Sequence, residues 1–224
     1  LNILATSCAT QLRAPLNRLN SPQTVGGSLN SEFVLSSASL VEGVVDLSGT
    51  EPYGLQLSQK QANTYAAALA IAESVDLTWS HAASSPSMVG IKWQAIGTSK
   101  QQAGAGHALA IALAFGGNQH EIKDSPRVEF EVSSTDASVI HGYWLGPNVL
   151  LFDSVSYSSH AFDGDVSGFG RFSEQGTFLT GAAGVGFVFR PVELKTELAY
   201  TQADWSEAGA ESYLSWGLSL GLSF

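Results

Sequence analysis

Of the 224 residues, 44% are hydrophobic and only 13% are charged, against roughly 25% charged in soluble domains. The formal net charge of −10 excludes a nucleic-acid footprint, which needs a basic stripe. The single cysteine, Cys8, excludes an internal disulfide and a multi-cysteine metal site. No run reaches the roughly 18 to 20 apolar residues of a membrane helix. A membrane location would therefore require a closed barrel, the other architecture that satisfies its backbone in lipid.

The first stretch, "LNILATSCATQLRAPLNRLNSPQTVGGSLN", shows no sustained alternation and carries Arg13, Arg18, Pro15 and Pro22. Residues 1–32 are read as an irregular segment, either a plug of a barrel lumen or a partner-binding tail. It begins at Leu1 rather than Met, which predicts a mature or trimmed form. Cys8 in "LATSC" reads as an inert thiol, with a lipoprotein cleavage box as the alternative.

From about residue 33 to 224 a two-residue rhythm takes over, the signature of strands whose faces differ. "LVEGVVDLS" sets Val41, Val45 and Leu47 against Glu42 and Asp46. "NTYAAALAIA" sets Tyr65, Ala67, Leu69 and Ile71 against alanines, "SVDLTWS" sets Val75, Leu77 and Trp79 against Asp76, and "VGIKWQAIG" sets Val89, Ile91 and Trp93 against Lys92. In "AGHALAIALAF" the pattern is Leu109, Ile111, Leu113 and Phe115 against alanines. Alanine favours helix, but the large residues keep strict i, i+2 spacing.

"RVEFEV" is read with Val128, Phe130 and Val132 outward and Arg127, Glu129 and Glu131 inward, with a bulge before Ile140; in "NVLLFDSVSYSS" two phases compete. "TFLTGAAGVGFVF" puts Leu179, Val185, Phe187 and Phe189 outward and Phe178 inward, and "VELKTELAY" puts Glu193, Lys195 and Glu197 inward. The last strand, "YLSWGLSLGLSF", sets Leu214, Trp216, Leu218, Leu220, Leu222 and Phe224 against Gly and Ser. A face of Gly, Ser and charge suits a lumen and a wholly apolar face suits lipid.

Pro52, Pro86, Pro126, Pro147 and Pro191 all fall between these strands, where a residue that cannot donate to a ladder belongs. "LGPN", "FRP" and "AES" make tight connections; "SGTEPYGLQLSQKQ", "GNQHEIKDSP", "DGDVSGFGRFSEQ" and "ADWSEAGAES" are longer and polar. The spacing predicts an all-β, closed antiparallel transmembrane β-barrel of about ten strands, with eight or twelve as alternatives, and both chain ends on the short-turn side. Trp79, Trp93, Tyr143, Trp144, Tyr157, Tyr200 and Trp216 are read as aromatic girdles at the membrane interfaces.

The terminal Phe224, the apolar residues at alternate positions before it and the tight turns resemble a Gram-negative outer-membrane β-barrel protein; no subfamily motif is recognised. The resemblance implies a bacterial outer-membrane location, contact with lipid and lipopolysaccharide, and reading of Leu218, Leu220, Leu222 and Phe224 by the barrel-assembly machinery during insertion.

The lumen is expected to be lined by Glu42, Asp46, Asp76, Lys92, Arg127, Glu129, Glu131, Glu193, Lys195 and Glu197. Arg13 and Arg18 of the plug would meet the wall around Glu193 and Glu197. No catalytic cluster is expected: in "SYSSHAF" only Ser158 shares a face with His160, which reads as a rim histidine in a polar loop region; no metal site and no cofactor are expected. The expected function is a non-enzymatic barrel, structural or partner-binding through residues 1–32. The alternative is a small porin-like diffusion channel with cation preference.

Overall fold

The computed structural model describes residues 10–46, 54–82, 85–102, 104–122, 128–166 and 170–224. Its strands are β1 (Thr10–Pro15), β2 (Ser31–Asp46), β3 (Gly54–Ala72), β4 (Val75–Ala82), β5 (Ser87–Ile96), β6 (His107–Ile122), β7 (Val128–Gly146), β8 (Val149–Val166), β9 (Gly170–Phe189), β10 (Val192–Trp205) and β11 (Gly209–Ser223). Strands β2 to β11 pair with their sequence neighbours, and β2 also pairs with β11, so ten antiparallel strands close into a ring. The turns at Glu73–Ser74, Pro147–Asn148 and Arg190–Pro191 lie at one end of the barrel, here the turn end; the opposite end is the loop end.

The strands run further than the alternation suggested, since Gly54 to Lys60, Gly116 to Ile122 and Ala161 to Val166 all continue the ladder. Paired backbone satisfies its own hydrogen bonds in water as in lipid, so strand length does not report where an apolar belt stops. Side chains do. On β8 the outward set is Leu151, Asp153, Val155 and Tyr157, then Ser159, Ala161, Asp163 and Asp165; on β10 it is Leu194, Thr196, Leu198 and Tyr200, then Gln202 and Asp204. Tyr157, Tyr200 and Trp216 mark this change on three strands, and Trp93 and Tyr143 stand near the turn end.

The ring closes unevenly. Only Gly217↔Ala38 to Ser223↔Glu32 pair between β11 and β2. Above Ala38, β2 leaves β11 and accepts β1 along the freed edge, Pro15↔Leu40 to Thr10↔Val45. The edge of β11 left behind is capped by side chains: Gln59 Nε2 donates to the Leu214 carbonyl at 3.0 Å and Ser39 Oγ to the Trp216 carbonyl at 3.1 Å.

Three expectations fail here, and a fourth, that both chain ends share a side, falls partly outside the described residues, of which the first, Thr10, stands at the loop end, opposite Phe224. Val41 is buried with Ala14, Leu16, Phe178 and Tyr213 rather than facing lipid, because β1 and the inturned half of β2 enclose it. Trp144 is buried inward against Leu150 and Phe152, one residue out of phase with the exterior Tyr143. In β7 no register shift occurs between Val128 and Trp144, so Phe130 and Val132 point inward to the apolar cluster and Glu129 and Glu131 are exposed on the outer face. Above the belt that face meets water, which removes the reason to turn glutamates inward.

The exterior of β6 gives a direct test of where the belt ends. Leu113→Arg, on the outer face below the girdle, should destabilise the barrel in lipid vesicles by about 2–4 kcal/mol. Gln119→Arg, farther along the same face, should change it little. Equal urea midpoints for the two variants would place the belt elsewhere.

Candidate functional site

Ten strands enclose more space than small inward side chains fill, since about eight suffice for a packed interior. Here the inward wall is largely Ala, Gly, Ser and Thr, and the space is taken by the chain from Ala14 to Ser28 on its way from the loop end to the turn end. Its contacts are chiefly polar. Asn17 Nδ2 donates to Glu197 Oε1 at 3.2 Å, the Arg18 backbone N–H to the same oxygen at 3.1 Å and the Leu19 N–H to Oε2 at 2.9 Å. Leu19 is held at φ 52°, a left-handed conformation costing an L-residue roughly 1–2 kcal/mol, which these bonds offset.

The Arg18 guanidinium donates to Asp136 at 2.8 Å and to Ser158 Oγ at 3.2 Å. Farther down, Lys92 donates to the Gln23 carbonyl at 2.6 Å and lies 3.3 Å from Asp76. Asp76 accepts from the Val25 N–H at 3.0 Å, and Gln94 from the Thr24 N–H at 2.8 Å.

At the turn end the connection from β5 to β6 meets both the segment and the wall. Lys100 enters from it and bridges Glu32 on β2 and Glu193 on β10, while its backbone N–H donates to Thr24 at 2.9 Å. Burial opposes a charge on Lys100, but Glu193 and Glu32 outweigh it and raise its pKa above the usual lysine range. The same connection reaches Arg190, which donates to the Gln101 carbonyl at 2.8 Å. Gly104 lies so close to the Trp144 ring that any Cβ would overlap it. Gly26, at φ 76°, lies equally close to Ser99.

Six cations (Arg13, Arg18, Lys60, Lys92, Lys100 and Lys195) thus share this network with six carboxylates (Glu32, Glu42, Asp76, Asp136, Glu193 and Glu197). Of the residues expected to line the lumen, Glu42, Asp76, Lys92, Glu193, Lys195 and Glu197 are buried inside the barrel. Asp46 lies in β2 opposite Gly54, and Glu129 and Glu131 lie outside. Arg127 and Cys8 fall outside the described residues.

Arg13 meets Glu42 rather than the Glu193 wall, and Arg18 meets Glu197 only through its backbone. Glu193 is engaged by Lys100, which sequence reading missed along with Glu32 and Asp136. The strand carrying Glu32 was read as starting one residue later, and "GTSKQQAGAG" has no alternation to draw attention to it.

A cavity of about 160 Å³ remains between Pro15–Ser21 and the wall, lined by Ala66, Ala68, Ala112 and Ala114 and by Ser134 and His160. Ser134 and His160 are register partners on β7 and β8, with Ser134 Oγ 2.8 Å from His160 Nδ1. A serine nucleophile is normally activated by imidazole Nε2, with Nδ1 held by an acid. Here the serine occupies Nδ1, Nε2 has no hydrogen-bond partner, and Asp136 is engaged by Arg18. Among the described residues no group of three or more His, Cys, Asp or Glu side chains is arranged to hold a metal ion.

Leu218, Leu220, Leu222 and Phe224 are exposed on the outer face. Of the expected girdle residues, Trp79, Trp93, Tyr143, Tyr157, Tyr200 and Trp216 are exposed too; Trp144 is the exception.

No protein-family description matches the chain, and no curated protein sequence matches it. Several solved structures resemble it at low identity, three of them as follows. Ail, the attachment invasion locus protein of Yersinia pestis, is 10% identical over 88% of this chain and 100% of its own, with a TM-score of 0.41. The outer-membrane protease OmpT from Escherichia coli is 8% identical over 88% and 94%, with a TM-score of 0.43. Neisserial surface protein A is 12% identical over 88% and 97%, with a TM-score of 0.39.

Two measurements probe the filled lumen. Glu197→Ala strips the acceptor from three donors, and each buried donor left unsatisfied costs about 1–3 kcal/mol. Trypsin should then cut after Arg18 in the folded variant and spare the parent; equal resistance would mean that the segment is held elsewhere.

Glu73, in the turn between β3 and β4, is held below the usual carboxylate range by the Ser99 hydroxyl and the Gly27 N–H. A lowered folded pKa stabilises above the unfolded value and is lost as pH falls through the folded one. The thermal midpoint of the parent should exceed that of Glu73→Gln at pH 7, and the gap should close as pH drops below about 4. A gap independent of pH would remove the carboxylate from the account.

Proposed function

We propose that this closed ten-strand barrel with an apolar outer face is a non-enzymatic barrel of the bacterial outer membrane, occluded by its own N-terminal segment and serving a structural or partner-binding role. The apolar outer face between the girdles suits lipid, and the short turns would face the periplasm. Leu218, Leu220, Leu222 and Phe224 would then be read by the assembly machinery, and the charged outer face above the girdle would stand among lipopolysaccharide headgroups.

The observation that carries the reading is the two sets of hydrogen bonds that hold Asn17–Leu19 and Gln23–Gly27, with Lys100 below them between Glu32 and Glu193. A pore selective for cations needs unneutralised acid along an open path. The network described above balances its charges instead. The arrangement of Ser134, His160 and Asp136 supports no acyl-transfer step, since the nucleophile and the orienting acid do not meet opposite nitrogens of one imidazole.

Planar-bilayer conductance separates the two functions. The intact protein should show no steady open level, and a chain lacking residues 1–30 should show one. Steady, cation-selective conductance from the intact protein would overturn the occluded reading in favour of a diffusion channel.

A further inference from the structure

Outside the lumen, a cluster of three ionisable side chains among the described residues stands where the outer face should be apolar. His107 on β6, His141 on β7 and Asp153 on β8 all point outward near the turn end, among Leu109, Tyr143, Leu145 and Leu151. Asp153 lies directly opposite His141 in the ladder. His107 pairs with Tyr143, which makes His107 and His141 diagonal neighbours, within reach for long side chains. The side chains of His141 and Asp153 are 39% and 64% exposed. Ionisable groups on a membrane-facing surface are costly and mark function.

The geometry is specific. Asp153 Oδ1 lies 2.9 Å from His141 Nδ1, so the carboxylate accepts the Nδ1–H and leaves the Nε2 lone pair free. That Nε2 faces His107 Nδ1 at 3.0 Å, with the ring centroids 5.3 Å apart and the planes inclined by 26°. The Tyr143 ring also packs against His107, with centroids 4.8 Å apart and planes inclined by 44°. Two imidazole nitrogens bound to one metal at about 2.0–2.1 Å lie about 3.3 Å apart in a tetrahedral site and about 2.8 Å apart at adjacent square-planar positions. The observed separation falls between the two.

We propose that His107 and His141 form a two-histidine site for a divalent transition cation, Zn2+ or Cu2+, with Asp153 orienting His141 from behind. A carboxylate that accepts from the far nitrogen of a ligating histidine fixes its tautomer and raises its basicity. In the metal-free state the two imidazoles share one hydrogen bond. On binding, the His107 proton moves from Nδ1 to Nε2 and both lone pairs turn to the metal, with no net proton released from two neutral rings. The protein supplies two ligands and leaves the remaining positions to water. Hard cations such as Ca2+ prefer oxygen ligands and are not expected there. The single negative charge of Asp153 partly offsets the dication at the membrane edge. The site is independent of whether the lumen is occluded.

The test uses the full-length protein in nonionic detergent, free of any histidine tag and stripped with EDTA. Cu2+ should bind with one equivalent and give an electron paramagnetic resonance spectrum showing two coupled nitrogens, and Zn2+ should compete with it. His107→Ala and His141→Ala should each weaken binding at least tenfold, while His81→Ala should leave it unchanged. Asp153→Asn should weaken it 10- to 100-fold yet retain the two-nitrogen spectrum. The parent protein gives a readout that needs no variant: Zn2+ should protect His107 and His141, but not His81, from diethylpyrocarbonate, read by peptide mass. Failure to bind Cu2+, full binding by His141→Ala, unchanged affinity in Asp153→Asn, or equal modification with and without Zn2+ would each overturn the proposal.

Discussion

The structure depends on one constraint: a sheet that crosses lipid must satisfy every backbone donor and acceptor within itself. The ladder between β2 and β11 is the join that makes the sheet a ring, and it runs only from Ser223↔Glu32 to Gly217↔Ala38. Trp216, exposed on the outer face, stands where it stops. Below that height the join is backbone to backbone. Above it water is available and the requirement relaxes, so β2 can turn inward and the edge of β11 can be closed by Gln59 and Ser39. The freed edge of β2 is where β1 docks, and β1 leads the following residues down the lumen. The inward path of the segment and the partial seam are therefore one feature of the wall.

Most of the ring was legible in the sequence, because alternation over β9, β10 and β11 is regular and the last strand, from Leu214 to Phe224, carries a wholly apolar face. The phase of β7 was not. Its upper half carries apolar residues at even positions and glutamates at odd ones, while its lower half carries Val139, Tyr143 and Leu145 at odd positions. An unbroken strand that passes out of lipid reverses which face is apolar, and pattern alone reads that reversal as a bulge. Trp144 was misplaced for a related reason, since an aromatic at a strand end can serve a girdle or cap the interior, and only the approach of Gly104 decides it.

The lumen was half legible. Alternation identified Glu193, Lys195 and Glu197 as inward, but their partners come from distant parts of the chain. Lys100 lies in a connection, Asn17 and Glu197 are 180 positions apart, and the pairing of Ser134 with His160 depends on a register fixed by the turn at Pro147–Asn148. The outward trio was missed in the same way. His107 and His141 are 34 positions apart and meet only because β6 and β7 share an uninterrupted ladder. Residue type gave the inventory; register made the neighbours.

The charges inside the barrel have a further consequence for how the segment is held. The segment has few apolar anchors, chiefly Ala14, Leu16, Leu19 and Val25, so hydrophobic burial alone would allow it several positions along an alanine wall. A buried ion pair is weak evidence of net stability, because desolvation offsets most of its Coulomb energy, but leaving one partner alone is costly. Any slip of the segment by a residue would separate Arg18 from Asp136 and present Glu197 with the wrong donors. The same slip would break the bonds of Thr24 to Gln94 and Val25 to Asp76. The polar network acts on register more than on strength. It leaves the alternatives poorly satisfied, and a chain with little apolar surface thereby acquires one place in a smooth-walled lumen.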